Sequence, residues 1–212
     1  MQPDQSPTPW QPGPRRTLAT TRILSVHAQQ FTCTDHPSRS GEFTVLESRD
    51  WVNVLALTPG DTASSSPDGI DRRHAVLVEQ FRFGVARNTI EIPGGIIDPG
   101  EDPIEAGVRE LLEETGYAGD APRVLGTVDA NPAILTNIAT TILIENARRM
   151  TDPEPDEHEQ IRVLTRPVAA LPAMIANGDI TNAVVVAALF HWFASSDENH
   201  RTRTRRDGLR AR

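Results

Sequence analysis

The stretch from Gly94 to Tyr117 constrains this chain more than any other, because it carries the punctuation of a glycine-led loop and one helix. Asp102 suits an N-cap and Pro103 the first helical position. Glu105 falls three residues after the cap, as a capping box requires, and Gly116 is a helix stop. The predicted helix therefore runs from Pro103 to Thr115. Ile104, Val108, Leu111 and Leu112 follow helical spacing and are expected to face the core.

The rest of that helix is strongly acidic. Glu110, Glu113 and Glu114 are separated by steps of one, three and four, so they share a side, where like charges repel. They also crowd the negative end of the helix dipole. Two readings meet this arrangement. The glutamates form a solvated surface face, or they bind a hard divalent cation, which takes oxygen ligands and removes the repulsion. Gly94 and Gly95 open the preceding loop and would let its backbone approach a cation or phosphate closely.

Elsewhere the chain reads as strands with few helices. Strands are predicted at residues 22–32, 42–48, 51–57, 74–83, 88–92, 123–130, 137–145 and 160–164, rich in β-branched and apolar residues. Residues 58–73, with Pro59, Gly60, three serines, Pro67 and Gly69, are expected to be a long hairpin loop. Helices are predicted at 168–176, stopped by Gly178, and at 182–193. The latter carries a stripe of Val184, Val185, Ala188, Leu189 and Trp192 for the core. Residues 1–16 contain five prolines and predict a disordered or extended arm, anchored at most by Trp10. Residues 17–49 are a β extension, 50–196 the main domain, and 197–212 an arginine-rich polar tail. The fold class expected is α/β, a mixed sheet in a sandwich with helices.

The spacing Gly95, five residues, Glu101, seven residues, Arg109-Glu110-Leu111-Leu112-Glu113-Glu114-Thr115-Gly116-Tyr117 resembles the Nudix box, with Tyr117 where an aliphatic residue is usual. The resemblance implies an α/β/α sandwich and Mg²⁺, or Mn²⁺, held by Glu110 and Glu114. Glu113 would be a further ligand or act through water, and the Gly94 carbonyl would be a backbone ligand. Glu101 and Arg109 would pair to hold the loop on the helix, with Gly95 and Gly116 as structural positions of the box. The run Glu157-His158-Glu159-Gln160-Ile161-Arg162-Val163 is similar to a loop of bacterial ADP-ribose pyrophosphatases. Glu157 is then the expected catalytic base or ligand, with Glu159 close behind; an ordinary acidic turn is the other reading. Pro132, sixteen residues after Gly116, and the runs Glu79-Gln80-Phe81-Arg82-Phe83 and Glu91-Ile92-Pro93-Gly94-Gly95 resemble the same group. Ala133 and Ile134 follow Pro132 where that group has glycine, which favours the wider class of nucleoside diphosphate sugars. The implied activity is cleavage of the pyrophosphate of ADP-ribose or a nucleoside diphosphate sugar to a nucleoside monophosphate and a sugar phosphate. Arg82 would contact the diphosphate and Phe81 or Phe83 would stack on the base, with one of the two in the core. A homodimer, with the N-terminal strands crossing to the partner, is implied by analogy.

Composition narrows the alternatives. A net charge of −8 gives no electrostatic support to nucleic-acid binding, and an RNA-processing role is disfavoured. The lone Cys33 excludes an intrachain disulfide and a cysteine zinc site, and reads as a small strand residue. No apolar run approaches the roughly 20 residues of a membrane span, and no signal-peptide pattern opens the chain, so a cytoplasmic location is expected. A housecleaning nucleoside triphosphate pyrophosphatase and a non-catalytic nucleotide-binding module remain as competing functions. The N-terminal extension and Pro132 weigh against the first, the retained glutamates against the second.

Overall fold

The computed structural model describes residues 8–63, 65–66, 70–154 and 160–195. Residues 1–7 of the expected arm, Glu157, His158 and Glu159, and the arginine-rich tail lie outside the described residues. The chain divides into two compact units. One holds Met1–Arg49 with Asp129–Ile138; the other holds Asp50–Val128 with Ala139–Arg212.

The first unit is a three-stranded antiparallel sheet of β1 (Trp10–Thr20), β2 (Leu24–Cys33) and β3 (Ser40–Ser48), in that order. Of the two expectations for the arm, disordered or extended, residues 10–16 follow the extended one: paired with β2, they form part of β1. Its prolines are tolerated because it is an edge strand, and the register slips between Pro12 and Arg15 and again between Thr17 and Ala19. A proline without a ladder donor is placed at such edges and bulges. His27, buried on the middle strand, lies 3.0 Å from Glu47 Oε2 and 3.2 Å from Thr17 Oγ1, tying all three strands. Cys33 is buried at the end of β2. The turn after Asn131 joins this unit through Leu46, whose N–H donates to the Ile134 carbonyl at 2.7 Å.

The second unit is built on two sheets. One is ordered β10 (Ile161–Pro167), β5 (His74–Arg82), β6 (Arg87–Glu91). The other is ordered β7 (Gly94–Ile96), β4 (Trp51–Ala56), β9 (Ile138–Arg149), β8 (Tyr117–Asp129). β4 and β9 are parallel and the other registered pairs are antiparallel, so the sheet is mixed. Residues 58–73 are therefore not a simple hairpin loop: β4 and β5 belong to different sheets, and the chain beside them is joined by the Leu57–Ala75 bridge and by the Thr58 N–H on the His74 carbonyl at 2.8 Å. Its described end is pinned. Arg73 forks onto Asp71 at 2.7 and 3.0 Å and lies over the Trp192 ring. Burial would push the Asp71 carboxyl up, but the Arg73 guanidinium holds it below the usual carboxylate range.

Alternate residues of the central strands feed two apolar cores. Val52, Val54 and Ala56 of β4, with Ile142 and Ile144 of β9, pack against Ala106 and Leu111 of α1 (Pro103–Thr115). Leu55, Leu57 and Leu143 point the other way. There they meet Leu171 of α2 (Leu171–Ala176) and Val185, Ala188, Leu189 and Trp192 of α3, which spans residues 183–195. Helix, sheet and helix thus form three layers, the α/β/α order. Each large side chain so buried contributes about 1.5–3 kcal/mol. Asn182 caps α3, its Oδ1 accepting the Val184 N–H at 3.0 Å.

The caps of α1 fall where the sequence puts them. Asp102 Oδ1 accepts the Ile104 N–H at 2.8 Å, and Gly116 closes the helix at φ 72° with its N–H on the Leu112 carbonyl. The buried face differs from the expected one. Val108 and Leu112 are exposed, while Ala106, Gly107, Leu111, Glu114 and Thr115 are buried. The reason is close approach: a Cβ on Gly107 would stand 2.9 Å from Ile142 Cγ1. The small residues let α1 lie tight on the sheet and turn the two larger ones outward. Among the described residues no helix is long and apolar enough to cross a membrane.

Candidate active site

Strand β7 lies along the acidic side of α1, and its two glycines meet two of the glutamates. Glu114, only 3% exposed, accepts the Gly94 N–H at 2.9 Å through Oε2. The Glu110 carboxylate sits against Gly95, where an added Cβ would fall 2.3 Å from Oε1. A methyl group at position 95 would require the Glu110 carboxylate to move aside. Gly94 is tighter still, since its Cβ would fall 2.2 Å from the Val52 carbonyl oxygen. The groups that approach these glycines closely are the two carboxylates and the β4 main chain.

Arg109 organises the remaining carboxylates. Its Nε donates to Glu101 Oε1 at 2.9 Å, and its Nη1 reaches Glu110 Oε1 at 2.8 Å and Glu113 Oε2 at 3.1 Å. These carboxylates raise the Arg109 pKa, so the guanidinium stays charged. In return, Arg109 and the Asp98 N–H hold the Glu101 carboxyl below the usual range. Glu101 and Arg109 therefore tie the loop to the helix. Among the described residues, no three carboxylate, imidazole or thiol groups converge as a cation cage on their own. The donor set nonetheless fits a hard divalent cation: oxygen ligands from Glu110, Glu113 and Glu114 within one helical turn, beside a glycine backbone with no side chain to block it.

Residues 150–154, which lead into the acidic loop, are held at the same helix end. Met150 N–H donates to the Gly116 carbonyl at 2.8 Å, and Glu154 N–H donates to the Glu113 carbonyl at 2.8 Å. Gly116 must be glycine here on two counts, its positive φ and a Thr151 carbonyl oxygen 2.2 Å from where a Cβ would stand. A cavity of about 430 Å³ opens beside this junction, between Tyr117, Arg149, Pro153 and the β10 residues Ile161–Thr165.

Arg82 is less available than its sequence position implied. It forks onto Glu91 at 3.1 and 2.8 Å and lies over the Trp51 ring, 5.9 Å from its centroid. Glu91 is buried and also accepts from Thr89 Oγ1 at 2.6 Å and Asn182 Nδ2 at 2.9 Å. Burial would push its carboxyl up, but these donors, Arg82 first, hold it below the usual range. Nothing in the sequence marked Thr89 or Asn182 as partners, because the cluster joins β5, β6 and the start of α3. Phe81 and Phe83 form an edge-to-face pair at 5.5 Å. Both are exposed, Phe83 at 82%, so neither is the expected core residue. Pro132 is exposed and belongs to the first unit.

Residues 67–189 match the NUDIX domain family. The chain belongs to the Nudix family. It is 39% identical over 115 residues to the ADP-ribose pyrophosphatase of Saccharomyces cerevisiae, covering 51% of this chain and 47% of that one. It is 50% identical over 105 residues to the methanol dehydrogenase activator of Bacillus methanolicus, covering 48% and 50%. The match spans about half the length of each of these relatives. Among solved structures, an ADP compounds hydrolase superposes with a TM-score of 0.72 at 19% identity, covering 90% of this chain and 95% of that one. That likeness gives the Nudix fold.

Proposed function

We propose that this Nudix protein is a divalent-cation-dependent hydrolase that cuts the pyrophosphate of ADP-ribose or a nucleoside diphosphate sugar. The observation that carries the reading is the complete box with Glu114 buried against Gly94 and Glu110 against Gly95. Identity to an ADP-ribose pyrophosphatase supports the substrate class. Glu110, Glu114 and the Gly94 carbonyl, with Glu113 and Glu159, would hold Mg²⁺ or Mn²⁺. When bound, the cation supplies Lewis acidity that offsets the charge of the diphosphate. Glu157 accepts the proton of the attacking water; Glu159 is the alternative. The anchoring of Glu154 on Glu113 supports a base from this loop. Water oxygen bonds to one phosphorus as the bridging P–O bond breaks, leaving a nucleoside monophosphate and a sugar phosphate. Arg82, oriented by Glu91, offers its guanidinium to the diphosphate, and Phe83 stacks on the base. Residues 50–196 form the hydrolase domain. A homodimer, which rests on the family resemblance, and a cytoplasmic location belong to the same proposal.

The test is phosphatase-coupled phosphate release with ADP-ribose, nucleoside diphosphate sugars, NADH, diadenosine polyphosphates and dNTPs, with Mg²⁺ and with chelator. Cation-dependent release confined to the first two groups is expected. Strong dNTP cleavage would point to housecleaning, and absence of turnover to a binding module. A second reading, activation of an alcohol dehydrogenase, is favoured by the 50% identity to the activator. It predicts faster methanol oxidation by a dehydrogenase when this chain is added.

A further inference from the structure

Asn53, on β4, carries a buried polar group that the proposed reaction does not use. It is 4% exposed, and its Nδ2 meets no acceptor among the described residues. The orientation of the amide is fixed by chemistry. Trp51 Nε1 is a donor only, and it lies 3.2 Å from Asn53 Oδ1, so the NH₂ end must face away from the indole. A buried donor without an acceptor is costly and calls for an explanation.

Its location offers one. Asn53 stands directly opposite Gly94 in the β4–β7 ladder. Its Oδ1 would be 3.1 Å from a Gly94 Cβ, so the oxygen end of the amide lies against Gly94 and the NH₂ is borne on the same carbon beside it. The Gly94 N–H in turn donates to Glu114. One glycine thus touches the amide on one side and a proposed cation ligand on the other. The neighbouring contacts are also held: Val54 N–H donates to the Pro93 carbonyl at 2.8 Å, and Trp51 carries Arg82 over its ring.

We propose that Asn53 is a positioning residue for the Gly94–Gly95 turn: aimed by Trp51, it keeps an N–H in reserve that takes an acceptor oxygen of the turn when Gly94 and Glu114 hold their divalent cation. The inference rests on the hydrolase reading above. Asn53 does not touch substrate. It acts by making the loaded setting of the turn the one in which its amide is satisfied, so cation binding and amide satisfaction reinforce one another.

The experiment uses the full chain and two variants, Asn53→Leu and the double variant Trp51→Phe/Asn53→Leu. The double variant removes both polar partners and keeps an aromatic ring under Arg82. Free Mn²⁺ is titrated by electron paramagnetic resonance without substrate, alongside thermal unfolding and steady-state kinetics. We expect the double variant to melt at or above the wild-type temperature, to bind Mn²⁺ at least tenfold more weakly, and to lose kcat at saturating Mn²⁺ with little change in the KM for substrate. Wild-type Mn²⁺ affinity in a folded double variant would overturn the proposal. So would failure of both variants to fold, which would make the amide a structural element alone. A wild-type chain that binds Mn²⁺ and turns over, with unaffected variants, sinks only the Asn53 assignment. A wild-type chain that does neither sinks the hydrolase reading itself.

Discussion

Replacing Gly95 by alanine separates the two roles that glycine plays beside α1. The new Cβ would lie 2.3 Å from Glu110 Oε1, 2.4 Å from Cδ and 2.6 Å from Oε2. Carbon and oxygen rest about 3.3 Å apart, so the carboxylate must retreat by about 1 Å. What blocks the methyl is the end of a flexible side chain, and moving it off its rotamer costs about 0.5–1.5 kcal/mol. Alanine recovers about 0.4–1 kcal/mol by restricting the unfolded chain. The net change in stability is then within about 1 kcal/mol. Turnover suffers more, because a displacement of about 1 Å in a ligand can cost on the order of 100-fold. Gly94→Ala is the contrast. Its Cβ meets the Val52 carbonyl oxygen at 2.2 Å and Asn53 Cα at 3.0 Å, both main-chain atoms of a central strand. That variant loses about 3 kcal/mol or more, or does not fold. Thermal unfolding and the phosphate-release assay read both effects. If Gly95→Ala kept wild-type turnover, or unfolded as Gly94→Ala does, the placement of Glu110 against this glycine would be refuted.

Glu114→Gln should keep the fold, since the amide oxygen can still accept the Gly94 N–H, while turnover falls to background; activity near wild type would remove Glu114 from the ligand set. Arg82→Met leaves the buried Glu91 without its cation and should cost about 3 kcal/mol in a urea titration at pH 7, besides any loss of kcat/KM; a purely kinetic effect would mean that the ion pair is not formed. Glu91 is also expected to make the fold acid-sensitive. Its carboxyl is held below the ordinary value in the folded state, so its contribution is present above about pH 4.3 and fades as pH falls through the lower folded value. The stability gap between wild type and Glu91→Gln should therefore narrow between pH 5 and pH 3, by about the same route as for other paired carboxylates; a gap that stays constant would contradict the assignment. Glu157→Gln should lower kcat strongly with little change in substrate binding, and an unchanged rate would move the base elsewhere in the chain.

Local chemistry was legible in the sequence where it is written locally. The bounds of α1 follow from Asp102, Pro103 and Gly116, whose capping needs no partner beyond the neighbouring turn. The pairing of Glu101 with Arg109 was implied by the box and is present. The buried face of α1 was misread because periodicity weighs Val108 and Leu112 by their size. The sheet instead selects Ala106 and Gly107 for their lack of it. The pairing of β1 is not legible because prolines argue against a strand interior, and only the register with β2 shows that its prolines fall at an edge and a bulge. The hairpin expected between β4 and β5 failed for the opposite reason. β4 pairs in parallel with β9, almost ninety residues on, and no local pattern announces such a partner. The same distance in sequence hid Asn182 from Glu91, whereas the contact of Trp51 with Asn53 is local and stands out only when the amide is seen without an acceptor.

The sharing of β4 between two apolar cores has a further consequence. Val52, Val54 and Ala56 serve one core and Leu55 and Leu57 the other, so this strand cannot detach without opening both. Its amide hydrogens should exchange with solvent only through complete unfolding, while those of the edge strand β1 escape through cheap local fluctuations. Because Asn53 and, across one ladder, Gly94 belong to that strand and its neighbour, the glycine turn is mounted on the slowest-exchanging part of its unit. Heat or denaturant would then remove the turn and the fold together, in one cooperative step.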